Sequence, residues 1–240
     1  PNIKINLLVS NNDFNKLYYQ IKKFKPNYIS LKNEKNLNLI SNKIKKYGVK
    51  IIKYSDINNY LNNSQTDFTI LSIAGYESLF FLEKIFKNTK HLGLVNKECI
   101  VSAGHLFQNL KKKNPNLKIH PLDSEHYSLL SNIDEINNGD YNKIILTASG
   151  GPFFNKKNIN FKNIKFKDAI KHPMWQMGYK NSIDSATLAN KCLEIIEAHY
   201  LFSIPFEKLD ILIHPQSLIH SIVEKNNFNT SLNYFYPDMF

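Results

Sequence analysis

The 240-residue sequence contains few cysteines and few glycines, and it has no long apolar segment. Its two cysteines, Cys99 and Cys192, are too few and too far apart for a disulfide framework or a Cys-rich metal site. No signal peptide is visible, and no apolar run is long enough to span a bilayer. We therefore expect no membrane partner and a reducing compartment. A reducing cytosol or an organelle stroma fits, and the cytosol is favoured.

The charge of the chain is strongly unbalanced, with a formal net charge of +11 at pH 7. Such a chain could bind nucleic acid, or it could be an enzyme for anionic phosphates. A nucleic-acid-binding domain would cluster its basic residues and interleave them with stacking aromatics. Here the lysines are scattered among many Asn and Ile residues, a usage that also indicates a compositional bias of the genome. We expect no nucleic-acid partner.

Residues 1 to 100 alternate short apolar runs with helical patterns. This repetition of strand and helix predicts a parallel sheet with helices on both faces. The fold class that we predict is α/β, with a Rossmann-like parallel-sheet domain followed by an α+β domain. Such sheets often bind a dinucleotide at their carboxyl edge, but the Gly-rich fingerprint G-x-G-x-x-G is absent from this sequence. The predicted strands include residues 3–9, 28–31, 49–54, 68–73, 91–95, 143–147, 210–214, 218–223 and 231–236.

Two acidic residues, Asp123 and Glu125, lie two positions apart in the segment PLDSEH. In extended backbone they would face the same side, so that both carboxylates could meet one cation. Carboxylates suit a hard ion such as Mg²⁺ or Mn²⁺, and Glu194 could supply a third oxygen ligand. A helix N-terminus rich in capping residues is the alternative interpretation of this segment.

The segment HPMWQMGYKNSIDSATLANKCLEIIEAHYLF begins irregularly and ends with a helical pattern. Asp184 or Ser185 can cap a helix that continues to the end of the segment. Asn190, Lys191 and Glu194 then project from one side of that helix. A hydroxyl, an amide, an ammonium and a carboxylate together indicate a phosphate site beside a metal. An ordinary surface pair of Lys191 with Glu194 remains the alternative.

Two other segments place polar groups after predicted strands. Asn96, Lys97 and Glu98 follow the strand that ends near Val95, where a ligand of a parallel sheet would bind. The segment ASGGPF contains Ser149 and two glycines, which allow backbone N–H groups and a hydroxyl to approach a phosphate closely. An ordinary helix start and a plain Gly-rich turn explain these two segments equally well.

Six segments of the sequence, in order and at matching spacing, resemble the 1-deoxy-D-xylulose 5-phosphate reductoisomerase family. They are LVNKE, PLDSEH, LTASGGPF, HPMWQMGYKNSIDSATLANKCLEIIEAHYLF, ILIHPQSLIHSIVE and YPDM. The resemblance implies an NADP-dependent oxidoreductase of isoprene biosynthesis. Such an enzyme rearranges and reduces a small phosphosugar, 1-deoxy-D-xylulose 5-phosphate, to 2-C-methyl-D-erythritol 4-phosphate. It also implies NADPH and magnesium or manganese as cofactors, and a homodimer.

The resemblance further implies a role for individual residues. The metal ligands would be Asp123, Glu125 and Glu194. Trp175 and Met177 would lie in a loop that closes over the site and excludes water. The catalytic residues would be Lys97, Asp123, Glu125, His172 and Glu194. The substrate-binding residues would be Lys97, Ser124, Glu125, Ser149, His172, Trp175, Ser185, Asn190, Lys191 and Glu194.

The cofactor-binding residues implied in the same way are Ser10, Asn11, Asn12, Asn96, Glu98 and Gly178. The family's Gly-rich segment GSTGSIG is not in this sequence, nor is its C-terminal helical domain, so we interpret the chain as an internal fragment. Its domains would be residues 1–122, which bind NADPH, and residues 123–240, which bind metal and substrate. The chain alone should then show no NADPH-dependent activity. The alternative is an inactive relic that binds metal and phosphate only.

Overall fold

The computed structural model describes residues 3–33, 35, 37–156, 159–171 and 179–234. The chain divides into two compact units, Pro1–Gln65 and Thr66–Phe240. The boundary predicted after Leu122 does not coincide with the limit between these units. It concerns function, and it stays a prediction.

The first unit contains a three-stranded parallel sheet in the order β1-β2-β3. The buried side chains of Leu17, Ile21, Ile29 and Leu31 form its core between helix and sheet. The first helix begins at Asp13, whose side chain accepts a hydrogen bond from the Lys16 N–H at 2.9 Å. The elements of this unit are β1 (Leu7–Ser10), α1 (Phe14–Phe24), β2 (Tyr28–Leu31), α2 (Leu37–Ile44), β3 (Lys50–Ile51) and α3 (Ile57–Asn62).

The second unit begins with another three-stranded parallel sheet, in the order β4-β5-β6. Its strands are β4 (Thr66–Leu71), β5 (Thr89–Leu94) and β6 (Lys118–Pro121), joined by α4 (Leu79–Asn88) and α5 (Glu98–Lys113). Both helices bury apolar side chains, among them Phe86 and Phe107, whose rings meet edge to face at 5.4 Å. The carboxyl ends of β5 and β6 therefore lie side by side at one edge of this sheet.

The remainder of the second unit is a four-stranded mixed sheet in the order β10-β9-β7-β8, with helices between the strands. Strand β7 pairs parallel with β8 and antiparallel with β9, and β10 pairs antiparallel with β9. The strands are β7 (Lys143–Ala148), β8 (Leu209–Ile213), β9 (Ile219–Glu224) and β10 (Thr230–Tyr234). The helices are α6 (Ser124–Leu129), α7 (Ile133–Asn138), α8 (Phe166–Ala169), α9 (Tyr179–Ala186) and α10 (Ala189–Phe202). The predicted α/β class, with a mixed sheet following parallel ones, is confirmed.

The predicted single helix over residues 186–202 is wrong in one respect. The chain breaks between α9 and α10 at Leu188, whose φ of 61° lies in the left-handed region. Asp184 and Ser185 therefore lie inside α9 and do not cap the following helix. Asn190 and Lys191 instead occupy the first turn of α10.

None of the helices in the described part of the chain combines the length and the apolar character that crossing a membrane requires.

Candidate active site

Three helix N-termini in the second unit bring polar side chains together. Helix α5 begins where β5 ends and carries Lys97, and α6 begins where β6 ends and carries Asp123 and Glu125. Helix α10 packs against α5 and presents Asn190 and Glu194 to the same place. Because neighbouring parallel strands end at one edge of a sheet, residues far apart in the sequence become neighbours here.

Asp123, Glu125 and Glu194 form the acidic part of this cluster. One oxygen from each of them lies within 4.8 Å of the others. Asp123 is the N-cap of α6, and its Oδ1 accepts a hydrogen bond from the Glu125 N–H at 3.3 Å. The two carboxylates therefore approach each other across a helix start. The two carboxylates are close, as predicted, but the segment forms the helix N-terminus of the alternative interpretation and not the expected extended strand.

Two lysine side chains neutralise part of this negative charge. Lys97 Nζ lies 2.8 Å from Asp123 Oδ2 and 3.1 Å from Glu194 Oε1. Lys191 Nζ lies 2.5 Å from Glu125 Oε1 and 2.6 Å from Glu194 Oε2. The side chain of Lys191 is 6% exposed and that of Glu194 is 1% exposed, so this is not an ordinary surface pair.

The pKa values of the cluster follow from burial and from these contacts. Burial opposes the charge of Lys97, but Asp123 and Glu194 outweigh it and raise the pKa of the ammonium. Burial would raise the pKa of Asp123, yet Lys97 and His126 hold it well below its usual range. Burial, together with the charge of Glu194, raises the pKa of Glu125. The carboxylates thus depend on nearby positive charge to stay ionised.

The donor set fits a hard divalent cation. Three carboxylates whose oxygen atoms lie within 4.8 Å of one another offer only oxygen ligands, which Mg²⁺ and Mn²⁺ prefer. The two ammonium groups that contact these oxygens show that the cluster attracts cations. Asp123, Glu125 and Glu194 are therefore the residues that would hold the metal.

A cleft of about 200 Å³ opens beside the carboxylates. Gly151 has a φ of 70°, and a Cβ at this position would lie 2.7 Å from the Ser185 carbonyl oxygen. Only glycine therefore allows the loop after β7 to approach the end of α9 so closely. The polar residues lining the cleft include Lys97, Asp123, Ser124, Glu125, Ser149, Ser185, Asn190, Lys191 and Glu194.

Most of the predicted substrate-binding residues thus lie together, although several of them also hold one another. The Ser124 hydroxyl donates to Glu125 Oε2 at 2.5 Å. Asn190 accepts a hydrogen bond from Lys97 Nζ at 2.9 Å and donates its amide N–H to Glu194 Oε1. The predictions for His172, Trp175, Met177 and Gly178 fall on residues outside those that the structure describes.

The predicted cofactor residues occupy strand ends in their respective units. Ser10 ends β1, and the Asn12 carbonyl accepts the Phe14 N–H at 2.9 Å where α1 begins. In the other unit Asn96 is buried, and its Oδ1 accepts the Cys99 N–H at 2.8 Å. Its amide also donates to the carbonyl oxygens of Ile73 and Gly75. Asn96 therefore shapes the turn before α5, whatever else it binds.

Sequence reasoning missed two groups of residues at this site. Thr147, Ser217 and His220 line the cleft, and His220 belongs to the segment ILIHPQSLIHSIVE, which carried the resemblance without an assigned role. His126 and Glu197 are buried behind the carboxylates. The i, i+3 spacing of Glu194 and Glu197 was a visible signal that both face one side of α10.

The pKa values of His126 and Glu197 follow from burial and from their contacts with each other and with Asp123. Burial would lower the pKa of His126, but Glu197 and Asp123 raise it to about 10. Burial raises the pKa of Glu197 to about 7, although the charge of His126 works against this. The acidic groups around His126 thus favour its charged form.

Comparison with known proteins identifies similarity to one family. Two models of one family match the chain. The model for 1-deoxy-D-xylulose 5-phosphate reductoisomerase matches residues 1–104, and the model for the C-terminal domain of that enzyme matches residues 119–202. The reductoisomerase of Sulfurihydrogenibium sp. is 41% identical over 237 residues, which are 99% of this chain and 60% of that protein. That of Pelagibacter ubique is 39% identical and covers 94% of this chain and 58% of that protein.

Solved structures give the same result. A DOX-P reductoisomerase in complex with NADPH, fosmidomycin and magnesium matches 98% of this chain and 60% of its own, with a TM-score of 0.87 at 31% identity. The reductoisomerase from Zymomonas mobilis in complex with NADPH matches 98% of this chain and 61% of its own, with the same TM-score and identity. The chain spans about three fifths of the length of the relatives that it matches. It belongs to the 1-deoxy-D-xylulose 5-phosphate reductoisomerase family.

Proposed function

We propose that the gene product containing this chain rearranges and reduces 1-deoxy-D-xylulose 5-phosphate to 2-C-methyl-D-erythritol 4-phosphate, using NADPH, in the non-mevalonate isoprenoid pathway. The observation that carries this proposal is the convergence of Asp123, Glu125 and Glu194 beside a polar cleft. An oxygen-only metal site next to hydroxyl, amide and ammonium groups matches the chemistry of a phosphosugar. Relatives in complex with NADPH and with magnesium support both cofactors.

The three carboxylates would hold Mg²⁺ or Mn²⁺, which when bound supplies Lewis-acid polarisation of the substrate's oxygen atoms. Lys97 extends from the start of α5 to the carboxylates, so it can donate a hydrogen bond to a substrate oxygen at the same point. Lys191 can turn from Glu125 toward an anion in the cleft that both residues line.

The phosphate would lie between the loop after β7 and the start of α10. Ser149 and Ser185 offer hydroxyl groups there, and Asn190 and Lys191 offer an amide and an ammonium from the first turn of α10. The free N–H groups and the dipole of a helix N-terminus also favour an anion. The role predicted for His172 remains part of this proposal.

NADPH would supply the hydride for the reduction. The proposed contacts are Ser10, Asn11 and Asn12 in the first unit, and Asn96 and Glu98 in the second. Support comes from their positions, because each group follows the carboxyl end of a parallel strand. We keep residues 1–122 and 123–240 as the proposed cofactor and catalytic domains. One family-model match ends at residue 104 and the other begins at residue 119, so the proposed boundary falls just inside the second match.

We also propose a homodimer and a cytoplasmic location. The bacterial relatives support the location, and so do the two free cysteines, of which Cys192 is exposed. The mass of the purified gene product in solution tests the homodimer. Fractionation of the source cells tests the cytoplasmic location.

The test of the proposed function is NADPH oxidation by the complete gene product with the substrate and Mn²⁺. Asp123→Asn and Glu194→Gln should each lose most turnover, because each removes one ligand charge from a hard cation. Glu83→Gln is the matched control, since Glu83 forms an exposed pair with Lys87 on α4. Unchanged metal dependence in both site variants would contradict the metal assignment.

An inactive relic would give a different result in the same assay. It would bind Mn²⁺ at the carboxylates and would oxidise no NADPH. Both alternatives would keep the carboxylates and lysines, so the support for the enzyme over the relic comes from relatives solved in complex with NADPH.

A further inference from the structure

Glu197 is a buried acid for which the proposed reaction has no direct use. It lies one turn after Glu194 on α10 and is 1% exposed. A carboxylate so far from water is costly unless a nearby group compensates its charge. The side chain that faces it is His126, which is fully buried on α6.

The hydrogen-bonding pattern of His126 shows which groups it holds. Its Nε2 lies 3.0 Å from the main-chain carbonyl oxygen of Glu194, which can only accept, so Nε2 carries the hydrogen. Its Nδ1 lies 3.5 Å from Asp123 Oδ1 and 3.5 Å from Glu197 Oε2. Two carboxylate oxygens thus approach the same ring nitrogen.

The ring therefore touches two of the three residues that would bind the metal. It contacts Asp123 through the side chain and Glu194 through the backbone of α10. The opposite oxygen of Asp123 is held by Lys97 at 2.8 Å. Nδ1 of His126 and Oε2 of Glu197 have no hydrogen-bond partner among the residues that the structure describes. Glu197, which does not line the cleft, thus faces the same ring nitrogen as Asp123 without a competing hydrogen bond.

We infer that Glu197 is a positioning residue: acting through His126, it fixes the Asp123 carboxylate and the Glu194 turn in the arrangement that binds one divalent cation. This inference rests on the metal site of the proposed function. It follows a general pattern, in which groups behind the ligands orient them and their loss weakens metal binding by about 10- to 100-fold.

A second cation is the competing explanation, because Asp123, His126 and Glu197 also lie within 4.8 Å of one another. The charges argue against it. Asp123, Glu125, Glu194 and Glu197 carry four negative charges when ionised, and Lys97, Lys191 and one divalent ion together balance them. A second divalent ion would leave two uncompensated positive charges in a buried site.

The test measures Mn²⁺ binding by the complete gene product with electron paramagnetic resonance, in the absence of substrate. We expect Glu197→Gln and His126→Gln each to weaken Mn²⁺ binding about tenfold or more, with Glu83→Gln unchanged. Because Glu197 is inferred to act through His126, the double variant should bind Mn²⁺ within about twofold of the weaker single variant. The resonance line shape of bound Mn²⁺ should also change, which a loss of global stability alone would not cause.

The possible results separate this inference from the proposed function. Failure of the unaltered protein to bind Mn²⁺ would contradict both. Mn²⁺ binding that Glu197→Gln leaves within twofold of the unaltered protein would overturn the inference alone, as would additive effects in the double variant. Two Mn²⁺ ions per chain, falling to one in Glu197→Gln, would overturn it in favour of a second ion site. If Glu197→Gln does not fold, His126→Gln and Glu197→Asp decide by the same criterion.

Discussion

Lys97 and Lys191 hold the oxygen atoms that a divalent cation would also bind. Each ammonium contacts two carboxylates at distances between 2.5 and 3.1 Å. At such distances a single charge matters greatly, because the surroundings are poor in water. A metal ion and the two lysines therefore compete for the same ligands, and binding of the ion would release the ammonium groups toward the cleft.

Removing the charge of Lys97 should accordingly strengthen metal binding. We expect Lys97→Met to bind Mn²⁺ roughly tenfold more tightly in the absence of substrate, because one competing positive charge is gone. Lys97→Arg keeps the charge and should not show this gain. Calorimetric titration of Mn²⁺ into both variants measures the effect, and weaker binding by Lys97→Met would contradict it.

The two cysteines should differ sharply in reactivity. Cys99 is buried, and its thiol donates to the Asn96 carbonyl oxygen at 3.2 Å, whereas Cys192 is exposed on α10. Burial, with the charge of Glu197, raises the pKa of Cys99 to about 12, so the thiol stays protonated at pH 8. We expect one of these two thiols to react with a disulfide reagent in the folded protein and both in denaturant. Cys192→Ser should abolish the fast reaction; its persistence would contradict the assignment.

Helices α5 and α10 set the distance between Lys97 and its partners. A Cβ at Gly104 of α5 would overlap the ring of Tyr200 on α10. The absence of a side chain at this position lets the two helices approach, and the start of α5 thereby reaches Asn190 and Glu194. Neither Gly104 nor Tyr200 lines the cleft, yet their contact joins two helices that carry its side chains.

A larger side chain at Gly104, against the ring of Tyr200, should destabilise the protein. Gly104→Val should lower the free energy of unfolding by about 1–3 kcal/mol, the usual effect of overpacking a tight contact. Asn109→Val, at an exposed position of the same helix, is the control for the propensity of valine in helices. Denaturant unfolding measures both, and equal stabilities would show that α5 and α10 can separate without loss.

Several strands were readable from the sequence because their signal is local, whereas those predicted at 3–9 and 49–54 are only Leu7–Ser10 and Lys50–Ile51 in the structure. Apolar runs such as Tyr28–Leu31 and Lys143–Thr147 match β2 and β7 closely. The break between α9 and α10 was not readable, since leucine rarely adopts the left-handed conformation that Leu188 has. It occurs where the loop containing Gly151 packs on the Ser185 carbonyl, a contact between distant segments.

The candidate site was predictable for a different reason. Its carboxylates and lysines follow strands of one sheet or lie on α10, and the resemblance to a family supplied their roles. The spacing of Glu194 and Glu197 showed that both face one side of α10, but nothing in the sequence near His126 or Glu197 shows that the two meet in the interior. Their partners come from α6 and α10, which meet only in the folded protein.

The two compact units of the chain should respond differently to a metal ion. All residues of the carboxylate cluster belong to Thr66–Phe240. An ion that binds only the folded state stabilises it by about 2.7 kcal/mol at a hundredfold excess over Kd. We expect Mn²⁺ to slow amide hydrogen exchange in α5, α6 and α10, with little change in residues 3–33.

Asp123→Asn is the control for this measurement in the complete gene product, since it should abolish the protection. Exchange that slows in the variant as much as in the unaltered protein would show that Mn²⁺ binds elsewhere.

Asp123 serves the fold and the proposed metal site at once, because it also accepts the hydrogen bond that starts α6. Asparagine can keep that cap while giving up the negative charge, whereas alanine loses both functions. A lineage of this family that abandoned metal chemistry would therefore face selection for a capping residue at position 123, but no longer for an acid. Asparagine, serine or threonine at this position, in a sequence that otherwise retains the family's motifs, would mark a protein that has kept the fold and lost the reaction.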